Sequence, residues 1–442
     1  MSKASFVVTG GTPLYGSVRV GGAKNASYKL MIAALLGSKE SRLLNLPDIS
    51  DVDLVAGIIN ELGAKAYRVG ERTFFIDTRN MRFSTVSAKH GEQSRASTLF
   101  IPVLLAKFGQ AEVPLPGGDK IGKRPLERHM MGLELMGAKF VQEDGVLKAS
   151  CKQLKGCTYR FEKNTHTGTE TLIMAAVLAQ GKTILENAAE EPEIDDLIAF
   201  LNQMGAKIRR RPFRKIEIEG VSKLGGAIYK IMPDRNEAVS YACAAIASRG
   251  DIVVENARRQ DLKAFLDKLD EIGAGYEIGD YGIRFYYKGE LRATDLETEI
   301  HPGFMTDWQP LFATLLCQCH GESIIHETVM QNRFQYVEDL KAMGAKIEYF
   351  NPEVKNPDEF YNFNWQDHQE SDRHGIKIFG PTSFMGGEFT IHDLRAGATI
   401  LLAAISAKGQ TILHNIEQVE RGYQKIDEKL ILMGAKIERV QK

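Results

Sequence analysis

The chain has 442 residues, which at the usual domain size suggests about two or three domains. Lysine and arginine total 56 and aspartate and glutamate 57, so a net charge of −1 argues against a general nucleic-acid binder, which shows a basic excess. No apolar run reaches the length of a membrane span, Met1 to Phe6 lacks the apolar core of a signal peptide, and the five cysteines are scattered. No membrane and a cytoplasmic location are therefore expected.

Taken in chain order, the elements repeat. A Gly-Ala pair after an apolar residue recurs six times, at Gly63, Gly137, Gly205, Gly273, Gly344 and Gly434. An earlier glycine precedes each one: Gly37, Gly109, Gly181, Gly250, Gly321 and Gly409. The Gly-Ala pairs are spaced 68 to 74 residues apart, except for a last step of 90. This predicts six copies of one α/β unit, too long for an ordinary solenoid and better suited to a closed or paired arrangement.

Gly21-Gly22-Ala23-Lys24-Asn25 predicts a loop entering the first helix. Gly117 to Pro125 predicts another, and it fits the phosphate-loop pattern through Gly117, Gly122 and Lys123. The next residue is Arg124, not the Ser or Thr that holds magnesium, which argues against a nucleoside triphosphatase. Such a loop still offers backbone N–H groups and cations to an anion. The third copy reads most fully. Met174 to Ala179 is helical and stops at Gly181, Thr183 to Asn187 is a strand, and Pro192 opens a helix with Glu193, Asp195 and Asp196 in its first turn. Leu197, Ile198, Leu201 and Met204 give that helix one apolar face, Gly205 ends it, and Lys207 starts a strand. Cys317-Gln318-Cys319-His320 sends adjacent side chains to different faces of a helix and has no second ligand cluster, so no metal is expected. The extra length of the last step lies near Pro352 to Gly375, rich in Asn, Asp and aromatics, and reads as a surface loop insertion.

Cations stand at comparable loop positions in several copies: Lys24, Arg95, Arg124, Arg333, Arg395 and Arg421. Two acids, Asp307 and Asp393, lie among them. One loop arginine is ordinarily solvated surface, and one carboxylate among arginines is ordinarily a structural ion pair. The set as a whole points to a multiply anionic small substrate.

Several stretches together resemble the enolpyruvyl transferases. They are Gly22 to Ala26, Arg95-Ala96-Ser97, Pro116-Gly117-Gly118 with Ile121-Gly122 and Arg124-Pro125, Glu186 to Ala189, Phe304 with Thr306-Asp307, Asn332-Arg333-Phe334, Asp393 to Ala396, and Arg421-Gly422-Tyr423. The resemblance runs from about Gly10 to Val440 and is nearest to the branch that acts on UDP-N-acetylglucosamine. It implies a two-domain inside-out α/β barrel of six repeated units, three per domain. One domain would take residues 1–22 and 233–442, and the other 23–232 with a mobile loop at 115–126. The active site would lie in the cleft between them. The implied reaction adds the sugar 3-hydroxyl to C2 of phosphoenolpyruvate, protonates C3 and expels phosphate, the first committed step of peptidoglycan synthesis. No cofactor, metal or obligate protein partner is implied.

By the same resemblance, Lys24, Asn25, Arg124, Arg333, Arg395 and Arg421 bind phosphoenolpyruvate, and Lys24 and Arg421 also serve catalysis. Asp307 is the general base, and Asp393 orients the cations. Asn25, Arg95, Arg124, Pro125, Leu126, Glu127, Arg128, Asp307 and Val329 face the nucleotide sugar, with Asn164, Thr165, His166, Thr167 and Gly168. Asp119 occupies the loop position where most members carry a cysteine, and would donate the C3 proton. Insensitivity to fosfomycin, which alkylates that cysteine, follows. Asn164 to Gly168 replaces the usual Lys-x-Ser-Val-Gly, keeping the glycine but losing the lysine. Two alternatives stand beside the main reading: an enolpyruvyl transferase with another hydroxyl acceptor, and a non-catalytic regulator that binds a nucleotide sugar.

Overall fold

The computed structural model describes residues 4–91, 95–115 and 126–441. The described residues form six sheets, five with four strands and one with three, one for each copy of the repeat. The third copy shows the plan. Strand Thr158–Arg160 leads through helix His166–Ala176 to strand Lys182–Glu186, and the two strands pair in parallel. Helix Pro192–Gln203 follows, and strands Lys207–Arg211 and Lys215–Glu219 close the sheet antiparallel. Gly181 and Gly205 turn the chain with φ of +93° and +107°, a region side chains rarely adopt, and all six glycines of the Gly205 type have such a φ. In the three-stranded sheet the parallel edge strand shrinks to a single bridge between Thr85 and Glu112.

Asparagine marks the same corner in four copies. Asn45, Asn187, Asn256 and Asn415 all have positive φ. Three of them donate a side-chain hydrogen bond across the corner, Asn45 to Ile231, Asn187 to Phe161 and Asn415 to Ile391. An asparagine tolerates this backbone and bonds locally, so the corner is built into these four repeats.

The chain divides into two compact units. One holds residues 4–21 and 233–441, the other 22–91, 95–115 and 126–232. The first crossing falls before Gly22, one residue earlier than expected, and local packing explains it. Gly21 accepts from Asp234 N and donates to Glu237, within the first unit. A Cβ on Gly22 would lie 1.9 Å from the Asn45 carbonyl oxygen, within the second. Strand Ala4–Thr9 is held in the first unit by pairing with both Gln410–His414 and Lys436–Gln441.

Each unit has its own core. In the first, every residue of helix Arg235–Ala247 is buried, as is all of Leu394–Leu402 in helix Leu394–Ser406 and all of Gln309–Leu316. A helix buried on all sides is apolar nearly all round rather than along one stripe; alanine supplies much of this in the first two, and Leu and Phe in Gln309–Leu316. Helix Lys263–Ile272, with Phe265, Leu266, Leu269 and Ile272 on one face, is amphipathic instead. The 352–375 insertion departs from expectation. It forms helix Pro357–Phe360 and a 3-10 turn at Trp365–Asp367, with Tyr361 and Phe363 buried. Tyr361 stacks on Trp365 with centroids 5.0 Å apart, and His368 stacks on the same Trp365 ring at 4.2 Å. Aromatic side chains bury too much apolar area to stay in a solvated loop.

Candidate active site

In the first unit the site is built where helices begin. Asp307 lies just before helix Gln309–Leu316, and Arg395 is the second residue of helix Leu394–Ser406. Arg333 Nη2 donates to Asp307 Oδ1 at 2.7 Å, and Arg395 Nη2 reaches Oδ2 at 3.4 Å. The two arginine side chains are 4% and 5% exposed while Asp307 is 23% exposed, so the carboxylate is the accessible member of a buried charged group. Arg395 also donates to Tyr423 Oη at 2.8 Å, and that hydroxyl shares a 2.7 Å bond with Ser240. Burial opposes charge on Arg395, but Tyr423, Asp307 and Asp234 more than offset it and hold the guanidinium firmly protonated. Nε of both arginines is buried without an acceptor among the described residues. Buried donors on fixed cations suit an anionic ligand.

Asp393 acts on Arg395 through the backbone, since its Oδ1 accepts from Arg395 N and Ala396 N and caps the helix. Arg421 follows helix Glu417–Glu420, two residues before Tyr423, with Nη1 3.5 Å from Gln418 Oε1. Val329 donates its N–H to Glu327 at 2.9 Å.

In the second unit, Lys24 opens helix Lys24–Ala34, with Asn25 next. A cation at a helix N-terminus adds to the positive end of the helix dipole and favours an anion there. Asp51 in the first turn of helix Ser50–Glu61 balances it at 2.7 Å. Leu126 precedes helix Glu127–Leu135, and burial lowers the pKa of Arg128. The Arg128 carbonyl accepts from Tyr159 Oη. Asn164 is buried and donates to the Asn187 carbonyl, and Thr165 caps helix His166–Ala176 by accepting from Gly168 N. Thr167 lies in the first turn of that helix. Gly168 is required by packing, because a Cβ there would lie 2.5 Å from Thr165 Cγ2. The side chain of Arg95, and Asp119, Arg124 and Pro125 entirely, lie outside the described residues.

Several residues were missed by sequence reasoning. Lys29, on the buried side of the first helix, pairs with fully buried Glu170 at 2.7 Å, and His166 lies 3.1 Å from the same carboxylate. Burial and Lys29 lower the His166 pKa, but Glu170 prevails and raises it. Arg235, also buried, starts helix Arg235–Ala247 over the Trp308 ring, while Trp308 Nε1 donates to Asn236. The repeat itself carried a signal for Arg235: Lys24, Arg95, His166, Arg235, Asp307 and Arg395 all stand at or within two residues of a helical start, one per copy.

Comparison with known proteins places the chain in a family. A model of EPSP synthase (3-phosphoshikimate 1-carboxyvinyltransferase) matches residues 8–430. A protein of Koribacter versatilis named UDP-N-acetylglucosamine 1-carboxyvinyltransferase is 39% identical over 98% of this chain and 96% of its own. One of the same name from Halothermothrix orenii is 38% identical over 99% of both. The crystal structure of the enolpyruvyl transferase NikO from Streptomyces tendae covers 100% of both chains with a TM-score of 0.86 at 23% identity, a likeness of fold. With the family model spanning nearly the whole chain and full-length relatives well above 30% identity, the protein belongs to the EPSP synthase family of enolpyruvyl (carboxyvinyl) transferases.

Proposed function

We propose that the protein transfers the enolpyruvyl group of phosphoenolpyruvate to the 3-hydroxyl of UDP-N-acetylglucosamine, releasing phosphate in the first committed step of peptidoglycan synthesis. The observation that carries this is the Asp307 carboxylate held by Arg333 and Arg395. It is a partly exposed base beside two fixed cations, in a chain whose full-length relatives bear that activity in their names.

In the addition step the sugar oxygen bonds to C2, its proton passes to Asp307, and Asp119 supplies a proton to C3. In the elimination step a C3 proton and phosphate leave, which regenerates the double bond as an enol ether. Phosphoenolpyruvate brings a carboxylate and a phosphate, so Lys24, Arg124, Arg333, Arg395 and Arg421 supply the positive field for them, with Asn25 placing the reacting groups. Arg95, Leu126 to Arg128, the 164–168 turn and Val329 hold the nucleotide sugar. Asp393 fixes Arg395 by capping its helix. No described helix is long and apolar enough to cross a membrane, and the reaction belongs in the cytoplasm with its two soluble substrates.

The test is phosphate release from phosphoenolpyruvate with a panel of hydroxyl acceptors, followed by the mass of the product. Release with UDP-N-acetylglucosamine and an enolpyruvyl-sized mass gain supports the proposal. Release only with another acceptor, or tight sugar-nucleotide binding without release, overturns it.

A further inference from the structure

Between the base and the arginine that holds it lies a carboxylate that the reaction scheme above does not use. Glu327 is fully buried. Its Oε2 accepts from Thr306 Oγ1 at 2.9 Å, and Thr306 is the residue before Asp307. Its Oε1 accepts from Thr298 Oγ1, Val329 N and Met330 N, all at 2.9 Å. The two backbone donors belong to the turn that leads to Arg333. One carboxylate therefore ties together the two segments whose side chains meet as the Asp307–Arg333 pair.

The surroundings keep it there. Glu327 N donates to the His374 carbonyl, and Thr328 N donates to Thr298 Oγ1. From the far side the 352–375 insertion grips the same turn, with Asn362 N donating to the Thr328 carbonyl at 2.8 Å and Gln331 Nε2 to the Asp367 carbonyl at 2.6 Å. Burial works against an ionised Glu327, and the bonds from Met330, Val329, Thr306 and Thr298 work for it. A group that is costly to bury and is met by four converging donors is a committed piece of architecture.

We infer that Glu327 is a positioning residue for the general base: it sets the placement of Asp307 through Thr306, and that of Arg333 through the Val329–Met330 turn. This rests on the reading of Asp307 as the base. An error of about 1 Å in a reacting group can cost roughly 10²-fold in rate, so the effect belongs in kcat.

The experiment measures phosphate release and thermal unfolding for the full chain as wild type, Glu327→Gln, Thr306→Val, Thr306→Ser, and Glu327→Gln with Thr306→Val. An amide at 327 has an NH2 that cannot accept hydrogen bonds. A valine at 306 removes the hydroxyl at nearly constant volume. Glu327→Gln and Thr306→Val are each expected to lower kcat by roughly 10- to 10²-fold, with KM for both substrates within about threefold. The double variant should lose no more than the worse single one, because both act along one path, and Thr306→Ser should restore kcat. Wild-type kcat in Glu327→Gln overturns the inference. So do independent, multiplying losses in the double variant, or Thr306→Ser as slow as Thr306→Val. If Glu327→Gln does not fold, the Thr306 pair decides alone: equal kcat in Thr306→Val and wild type overturns it. A wild type that releases no phosphate with UDP-N-acetylglucosamine defeats the functional reading instead, a separate result.

Discussion

Replacing Asp307 by asparagine separates a catalytic from a structural role. The structural cost can be bounded first. Removing one partner of a fully buried ion pair costs about 3–5 kcal/mol. Asp307 is 23% exposed, and the amide keeps a carbonyl that can still accept from Arg333, so about 2 kcal/mol is a fair expectation. For a unit of this size that lowers Tm by roughly 4–8 °C. A protein of ordinary stability losing that much stays overwhelmingly folded at 25 °C, so the folded fraction barely changes. Loss of a general base costs turnover about 10²–10⁴-fold, equivalent to roughly 3–5 kcal/mol of barrier. Steady-state phosphate release at 25 °C should therefore fall at least about 10²-fold, while calorimetry still finds UDP-N-acetylglucosamine bound. A lowered Tm with kcat within about threefold of wild type would show that Asp307 only holds the arginines together, and the base would have to be sought elsewhere.

Other expectations are as direct. Asp119 is a far weaker nucleophile toward an epoxide than a thiolate, so fosfomycin should leave the enzyme active and its intact mass unchanged, whereas Asp119→Cys should gain time-dependent inactivation. His374 is held well below the ordinary histidine range, at about 4, chiefly by burial, with neighbouring His368 also disfavouring its charge. The unfolded chain thus takes up its proton first, and the stability this neutral histidine contributes, intact above about pH 6.5, is lost as pH falls toward 4. Denaturant midpoints across that window should show a drop that His374→Gln reduces, and parallel curves for the two proteins would contradict it. Glu170→Gln should destabilise by several kcal/mol, on the order of 3, because it strands buried Lys29, and Lys29→Met in the same background should recover part of the loss. Independent effects in that pair would mean that the ion pair is not what ties the two helices.

Much of the architecture was legible because it is repeated. The glycines that end helices at positive φ recur in each copy, so six units could be counted from spacing alone, and the order of elements in the third copy appears in the structure with shifts of a few residues at the helix ends. The parallel edge strands were harder to see. Thr158–Arg160 is only three residues long, and it takes its identity from the strand it pairs with, not from its own pattern. The insertion was read as solvated because its many Asn and Asp residues outweighed Tyr361, Phe363 and Trp365, which pack with His374 near the end of the insertion and with His326, distant in sequence. The charged residues were found as loop cations and acids, but their pairings were not. Nothing local in the sequence says that Asp307 meets both Arg333 and Arg395, or that Lys29, on the buried side of its helix, has Glu170 as its counter-charge.

The recurrence of a helical start in every copy bears on how such a catalyst can diversify. The backbone at these starts is fixed by features outside the position itself: Thr165, Asp234 and Asp393 cap their helices from the preceding residue, and the helices behind are locked by burial. What stands at the start can then change at a cost in stability, as the Asp307 pairings show, without a change of fold. Lys24, His166, Arg235, Asp307 and Arg395 put four residue types at five such starts, a cation here, a titratable ring there, an acid in the next. A substitution at such a slot alters the chemistry offered without asking the chain to find a new fold, and duplication of the unit multiplies the slots. The molecule thus resembles a keyboard with one key per repeat, in which the residue offered at each helical start can change while the frame that holds the keys stays in place.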